Sequence, residues 1–243
     1  MSRFAHLDPA STALLLVDLQ NDFIHPEGAY AKGGVTSETI EALPRRLGVV
    51  ADTARSCAIP TIATLFTLVP GPDGPLIPDH LARLRPFLTD GDFAPGSWGQ
   101  SLIDAVGAID ITVEKVAYSA FHASRLEFVL GRLGITALLV AGIVTNGGVA
   151  STVRAAHVLD LHTVVLSDGC AAFGTEPDDH AIASLATVSD IETCSDVLGW
   201  LQGLSWKALW SELALASWRS RPILFVESSA CRGASRQGVE SHQ

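Results

Sequence analysis

Cysteines, cations and long apolar runs are all scarce in this chain, and each scarcity removes a class of function. The four cysteines, Cys57, Cys170, Cys194 and Cys231, match neither a CxxC metal pair nor a small disulfide scaffold. They read as buried or incidental thiols in a reducing compartment. Lys plus Arg number 16 against 26 Asp plus Glu, a formal charge of -10. Such a balance argues against nucleic acid or an anionic membrane as partner. No apolar run reaches the length of a bilayer span. Met1-Ser2-Arg3-Phe4-Ala5-His6 lacks the apolar core of a secretion signal, so a cytoplasmic location is expected. No internal repeat is present.

Apolar content, by contrast, is ample. Of the 243 residues, 48% are hydrophobic, enough to bury one good-sized core, and a single α/β domain is the natural count. Short apolar and β-branched runs predict strands at 12–17, 60–66, 110–114, 136–140 and 162–167, with a short sixth near 189–193. Helices are predicted at 36–57, 124–133, 147–159 and 178–187. That alternation is the rhythm of a parallel sheet. Between Pro70 and Gly99 the chain is rich in Pro, Gly and Asp, which predicts a loop covering a site rather than a core element. Past residue 203 the pattern changes: Trp206, Leu209, Trp210 and Leu213 fall at i, i+3, i+4 and i+7, with Trp218 beyond. A short amphipathic helix and then a disordered polar tail are expected there. The chain thus divides into a domain over 1–203 and an extension over 204–243 that caps the core or joins a subunit interface.

Three strand ends carry chemistry. The run Leu14–Val17 breaks at Asp18, Ile111–Val113 runs into Glu114-Lys115, and Thr136–Val140 leads through Ala141-Gly142 to a helix starting near Gly147. An acid, an amine and a small-residue turn into a helix N-terminus therefore meet at the rim of the sheet, where α/β folds build their sites. Such a layout suits nucleophilic chemistry beside an anion-binding pocket.

These residues, in their order and spacing, resemble the isochorismatase-like, or cysteine hydrolase, family. The motifs are Val17-Asp18-Leu19-Gln20-Asn21-Asp22-Phe23, Glu114-Lys115 with Tyr118-Ser119-Ala120-Phe121, Gly142-Ile143-Val144-Thr145-Asn146, and Ser167–Ala172, spanning roughly residues 10–203. The resemblance implies a three-layer α/β fold with a six-stranded, mostly parallel sheet and helices on both faces. It implies no cofactor, and an Asp-Lys-Cys triad acting on amides or carbamoyl groups. By position, Asp18 is the carboxylate that moves the proton and Lys115 the amine that orients it. Gly148 stands where the nucleophilic cysteine would be. The resemblance also implies a non-proline cis peptide at Ile143–Val144, aiming the N–H groups of Val144 and Gly148 at an oxyanion. Being main chain, that hole is chemically intact with glycine at 148. Thr145, Asn146 and Gly147 shape the loop, and Gln20 and Phe23 line the pocket. Cys170 is a structural position in the pattern, not a substitute nucleophile.

Gly148 leaves three readings open. The chain is a hydrolase of an amide, carbamoyl or vinyl ether bond that needs no thiol; or it has lost catalysis and keeps a pocket for binding or assembly; or it is an amidohydrolase inactivated by a cysteine-to-glycine change. Val144-Thr145-Asn146 resembles the amidohydrolase branch, as does His25-Pro26-Glu27-Gly28-Ala29-Tyr30, which is similar to ureidoacrylate amidohydrolase-like members. Some family members hold a metal through an Asp-x-His grouping after the second strand, whereas Thr64–Val69 supplies no ligand, so no metal is expected. His25, His80 and His122 are expected on loops or the surface, and Arg83 and Arg85 as solvated helix residues. The expected partners are a small-molecule substrate and further copies of the chain in a homo-oligomer.

Overall fold

Thr12–Val17 is aliphatic at five of its six positions, and it forms a central strand buried along its whole length. Continuous burial of this kind belongs to parallel strands covered on both faces. The computed structural model describes residues 3–204. The extension predicted over 204–243, with Trp206, Trp210 and Trp218, and also Cys231, lie outside the described residues except for Leu204. The chain's contacts divide it into Met1–Trp206 and Lys207–Gln243.

In chain order the strands are β1 (Thr12–Val17), β2 (Thr61–Phe66), β3 (Pro70–Gly71), β4 (Gly74–Pro75), β5 (Ile111–Lys115), β6 (Ala137–Ile143), β7 (His162–Ala171) and β8 (Asp190–Glu192). The helices are α1 (Asn21–Ile24), α2 (Ala29–Lys32), α3 (Glu38–Ser56), α4 (Asp79–Leu84), α5 (Leu126–Leu133), α6 (Ala150–Val158), α7 (Thr175–Leu185) and α8 (Cys194–Gly203). Six strands form one sheet in the order β5-β2-β1-β6-β7-β8, and every neighbouring pair is parallel. β3 and β4 make a separate antiparallel ribbon.

Alternation along β1 sends Ala13, Leu15 and Val17 to one face, where they join Leu126 and Leu130 of α5, Val153 and Ala156 of α6 and Leu185 of α7. Helices α3 and α8 pack on each other and on the sheet. α3 begins at Ser37, whose hydroxyl accepts from the Ile40 N–H, and has acids in its first turn and Arg55 in its last, complementing the helix dipole. α8, which the helical patterning had not predicted, is opened by a capping box between Thr193 and Asp196. Among the described residues, no helix is long and apolar enough to cross a membrane.

Two strands exceed their predicted ends. β6 continues through Ala141, Gly142 and Ile143, and β7 continues past the polar Ser167-Asp168 to Ala171, with a register shift between Val140 and Gly142. Gly142 makes this possible: its φ is +125°, and a Cβ there would fall 2.2 Å from the Val17 carbonyl oxygen.

The covering segment is more ordered than its Pro, Gly and Asp content implies. Phe93 within it is fully buried and packs with Tyr30, Leu68 and Phe23. Asp22 ties it down, its carboxylate accepting from the backbone N–H of Ala29 at 3.1 Å and of Phe93 at 2.6 Å. Both acceptances are charge-assisted, and losing them strands two N–H groups in a buried place. Asp22→Ala is expected to lower stability by about 2–4 kcal/mol, read as a fall in the urea midpoint with the slope unchanged.

Candidate active site

Strand order reverses between β1 and β6, and ligands of open parallel sheets bind outside the strand ends at such a point. Asp18 is the residue directly after β1. It adopts a left-handed backbone conformation, φ +57°, which an aspartate tolerates better than most residues. Thr64 of β2 fixes it on both sides, its hydroxyl accepting from the Asp18 N–H at 3.2 Å and donating to Oδ1 at 2.6 Å. Lys115 closes β5 and reaches across, with Nζ 2.7 Å from Asp18 Oδ2 and both side chains almost wholly buried. Its other donors go to the carbonyls of Ala117 at 2.9 Å and Tyr118 at 3.2 Å, so all three ammonium protons have acceptors. The Phe66 ring centre lies 5.5 Å from Nζ. Burial pushes the Asp18 carboxyl above its ordinary value, against the attraction of Lys115 and the bond from Thr64.

β6 delivers the opposite wall. The Ile143–Val144 peptide is cis, and Thr145–Val149 winds as one π-helical turn before α6, a departure from α geometry that recurs at functional sites. The helix predicted from residue 147 is therefore preceded by this turn and becomes regular at Ala150. Gly148 faces Asp18: a Cβ at this position would stand 3.2 Å from Asp18 Oδ2, 3.2 Å from Val17 Cγ1 and 3.0 Å from the Ile143 carbonyl oxygen. Its backbone does not need glycine's freedom, so what the residue contributes is space.

Asp18, Lys115, Val144 and Gly148 line a cavity of about 50 Å³, counted as room for the centre of a water-sized sphere. Phe23, Tyr30, Phe66 and Phe173 provide its apolar walls, and Tyr118 and Arg85 complete it with Leu81 and Leu88. Tyr30 stacks on Phe173 with ring centres 5.2 Å apart and contacts Phe23 at 4.8 Å. Burial raises the Tyr30 phenol above its ordinary value, opposed by Arg85.

Asp18, Phe23, Lys115, Val144 and Gly148 are thus brought together as the sequence predicts, and the other site candidates are not. Gln20 lies outside the cavity lining: its amide bonds the Phe66 N–H and carbonyl and the Gln100 carbonyl, tying β1 to β2 and to the covering segment. Thr145 is buried and Asn146 exposed; neither they nor Gly147 lines the cavity. Arg85, expected in solvent, lines the cavity, whereas Arg83 is exposed. Tyr30, Tyr118 and Phe173 are wall residues that the sequence reading does not single out, although all three sit within or beside motifs that the sequence offers. Cys170 is buried with its thiol pushed far up by desolvation, and Cys194 is pushed up to about 12 by the same cause. Neither lines the cavity, and thiols this hard to ionise are poor nucleophiles.

His25 packs edge-on against Trp98 at 4.9 Å and accepts from the Glu27 N–H, while His80 and His122 are exposed. Among the described residues, His6, His162 and Asp190 are close enough together to share an ion. They are exposed and stand where β7 and β8 begin, at the edge of the sheet away from Asp18.

The Asp18 shift carries a sign that can be measured. A carboxyl raised above its unfolded value contributes stability that is complete below the unfolded value and lost as pH rises through the folded one. Asparagine does not titrate. The stability of Asp18→Asn relative to the parent chain is therefore expected to increase as pH climbs above the ordinary carboxylate range. Urea midpoints across that range measure it, and a pH-independent difference would contradict the raised value.

Known proteins share this fold. The isochorismatase domain profile matches residues 12–196. A ureidoacrylate amidohydrolase of Methylobacterium radiotolerans is 30% identical over 210 residues, covering 79% of this chain and 81% of that protein. Among solved structures, a cysteine hydrolase from Pseudomonas syringae pv. phaseolicola superposes with a TM-score of 0.70 at 22% identity, covering 82% of this chain and 95% of that one. An isochorismatase-like hydrolase from Alkaliphilus metalliredigens does so with a TM-score of 0.66 at 22% identity, covering 79% and 98%. The structural likenesses establish the common fold. With a family profile spanning every strand of the main sheet and the Asp18–Lys115 pair at its switch point, the chain belongs to the isochorismatase family.

Proposed function

We propose that this chain hydrolyses a C–N bond in a small amide or carbamoyl compound without a covalent intermediate, Asp18 moving the proton and Lys115 holding it in place. The observation that carries this reading is the buried Asp18–Lys115 pair, 2.7 Å apart, facing the side-chain-free Gly148 across a small cavity. A thiol at 148 would fill the room beside Oδ2; glycine leaves it for a water molecule within reach of the carboxylate. Asp18 takes a proton from that water as its oxygen bonds to the carbonyl carbon. It then returns the proton to the leaving nitrogen as the C–N bond breaks. Main-chain N–H groups at Val144 and Gly148 are assigned to the oxygen that gathers negative charge. The amidohydrolase name of the 30%-identical relative supports the C–N bond as target.

A second reading, hydrolysis of a vinyl ether, is favoured by one observation, the upward shift of the Asp18 carboxyl. A protonated Asp18 can donate to the enol carbon, and water then captures the resulting oxocarbenium ion. Both readings use the same acid and the same cavity.

The test is a panel of small amides, ureido compounds and an aryl-free enol ether, offered to the parent chain, Asp18→Asn and Gly148→Cys. Turnover by the parent chain, falling about 10²–10⁴-fold in Asp18→Asn, is expected, with the preferred substrate separating the two bond types. Silence from the parent chain with turnover in Gly148→Cys would overturn the proposal in favour of an amidohydrolase lacking only its nucleophile. The cysteine's Cβ is tightly placed against the Ile143 carbonyl, so Gly148→Cys is expected to be less stable by about 1–3 kcal/mol, which thermal melting reads. Silence from all three chains would leave a binding scaffold.

A further inference from the structure

Three charged side chains among the described residues line the cavity, and the reaction proposed above uses two of them. The third, Arg85, follows directly after α4 and lies between Leu81 and Leu88, which also face the cavity. Its Nε is buried and has no hydrogen-bond partner, and no carboxylate lies within ion-pair distance of it among the described residues. One terminal nitrogen donates to the Leu84 carbonyl, the guanidinium carbon lies 5.9 Å from the Tyr30 ring centre, and the guanidinium also engages the Tyr30 hydroxyl.

The lack of a carboxylate partner runs against the chain's composition. Acidic residues outnumber basic ones 26 to 16, and Asp79, Asp90 and Asp92 all belong to the same covering segment. Asp92 is engaged with Thr89 instead. A buried donor without an acceptor is costly to keep, and an arginine fork is shaped for two parallel bonds to a carboxylate. The aromatic walls offer no acceptor in place of an anion beyond the Tyr30 and Tyr118 hydroxyls.

We infer that the substrate is a small organic acid, and that Arg85 holds its carboxylate while Asp18 acts on the amide or carbamoyl group at the other end. This rests on the hydrolase reading for what happens at Asp18, but not for the binding at Arg85. The cavity of about 50 Å³ restricts the connecting chain to a few atoms, and the rings of Phe23, Tyr30, Phe66 and Phe173 supply apolar surface for those atoms. Arg85 is on this account a specificity-determining residue that takes no part in proton transfer.

The experiment compares 3-ureidopropionate with 3-ureidopropanamide, the same skeleton with its carboxylate neutralised. Both are titrated calorimetrically into the full chain, into Arg85→Met and into Arg85→Lys, and both are offered as substrates. The parent chain is expected to bind the acid at least about 10-fold more tightly than the amide, a preference that a bidentate charged contact readily supplies. Arg85→Met should abolish that preference, weakening the acid about 30-fold while leaving the amide within about 3-fold. Arg85→Lys, which keeps the charge but not the fork, should fall between. Where turnover is seen, the loss should enter KM for the acid with kcat little changed. Equal affinities, no binding of either compound, or a preference that survives in both variants would overturn the inference; a merely structural arginine would weaken the two compounds alike. A preference abolished by Arg85→Met in a chain that hydrolyses neither compound would sustain the carboxylate site and count against the hydrolase reading alone.

Discussion

Burying the Asp18–Lys115 pair is the constraint around which the rest of the structure is arranged. Two opposite charges taken out of water recover their desolvation cost only when geometry is good and every remaining donor and acceptor is satisfied. Each of those conditions is met by a different element. β1 supplies the carboxylate, β5 the ammonium, β2 the Thr64 hydroxyl, and the chain after β5 the two carbonyls that occupy the other ammonium protons. The pair therefore requires three adjacent strands in one register, with Thr64 opposite Val17 and Lys115 opposite Phe66. A slip of one residue would turn one partner to the wrong face of the sheet.

The same strand ends explain why the cavity is where it is. β1 and β6 run side by side but their outward connections leave in opposite directions, which opens a crevice above their carboxyl ends. A parallel sheet cannot close that crevice itself, so the segments after β1 and β2 must do so. They are fastened by polar side chains that mostly use backbone groups as partners: Asp22 through Ala29 and Phe93, Gln20 through Phe66 and Gln100, and Gln100 through Gly96, with a further bond from Gln100 to the Thr67 hydroxyl. The aromatic cluster fills the space beneath. Rigid cover over a preorganised charge pair is the arrangement in which fixed dipoles act most strongly on a reacting centre.

What the sequence made legible follows from how local each signal is. Asp18 and Lys115 announce themselves because each ends an apolar run, and the run alone places it at the sheet's rim. Val144 and Gly148 come with the turn that follows β6. Arg85 was read as solvated because a helix of six residues with charges on several sides has no face that periodicity can assign; its direction is set by the fold of the covering segment, which no local pattern encodes. Gln20 erred the other way. Standing two residues from Asp18, it looked like a pocket residue, yet with a rise of only a few ångströms per residue and a sharp left-handed turn at Asp18, its amide is aimed at the backbone of β2. α8 was overlooked because Gly199 and Gly203 dilute its helical pattern, although Thr193 and Asp196 were a readable start signal. β7 was cut short at Ser167-Asp168 because polar residues end a buried run, whereas here Ser167 donates to the Glu192 carbonyl and Asp168 accepts from the Cys194 N–H, bonds visible only in three dimensions.

The residue at 148 bears on the electrostatics of the site as well as on its space. A cysteine at this position would put a polarizable, ionisable sulfur against Asp18, and the carboxylate would share its proton with that thiol. With glycine, the neighbours of Asp18 Oδ2 are Lys115 on one side and open cavity on the other. Its protonation is then set by burial acting against Lys115 and the Thr64 hydrogen bond. Burial outweighs both and lifts the carboxyl above its ordinary value. On the proposed reading, a buried carboxylate held beside one fixed cation is better suited to move a proton unaided than an exposed one would be.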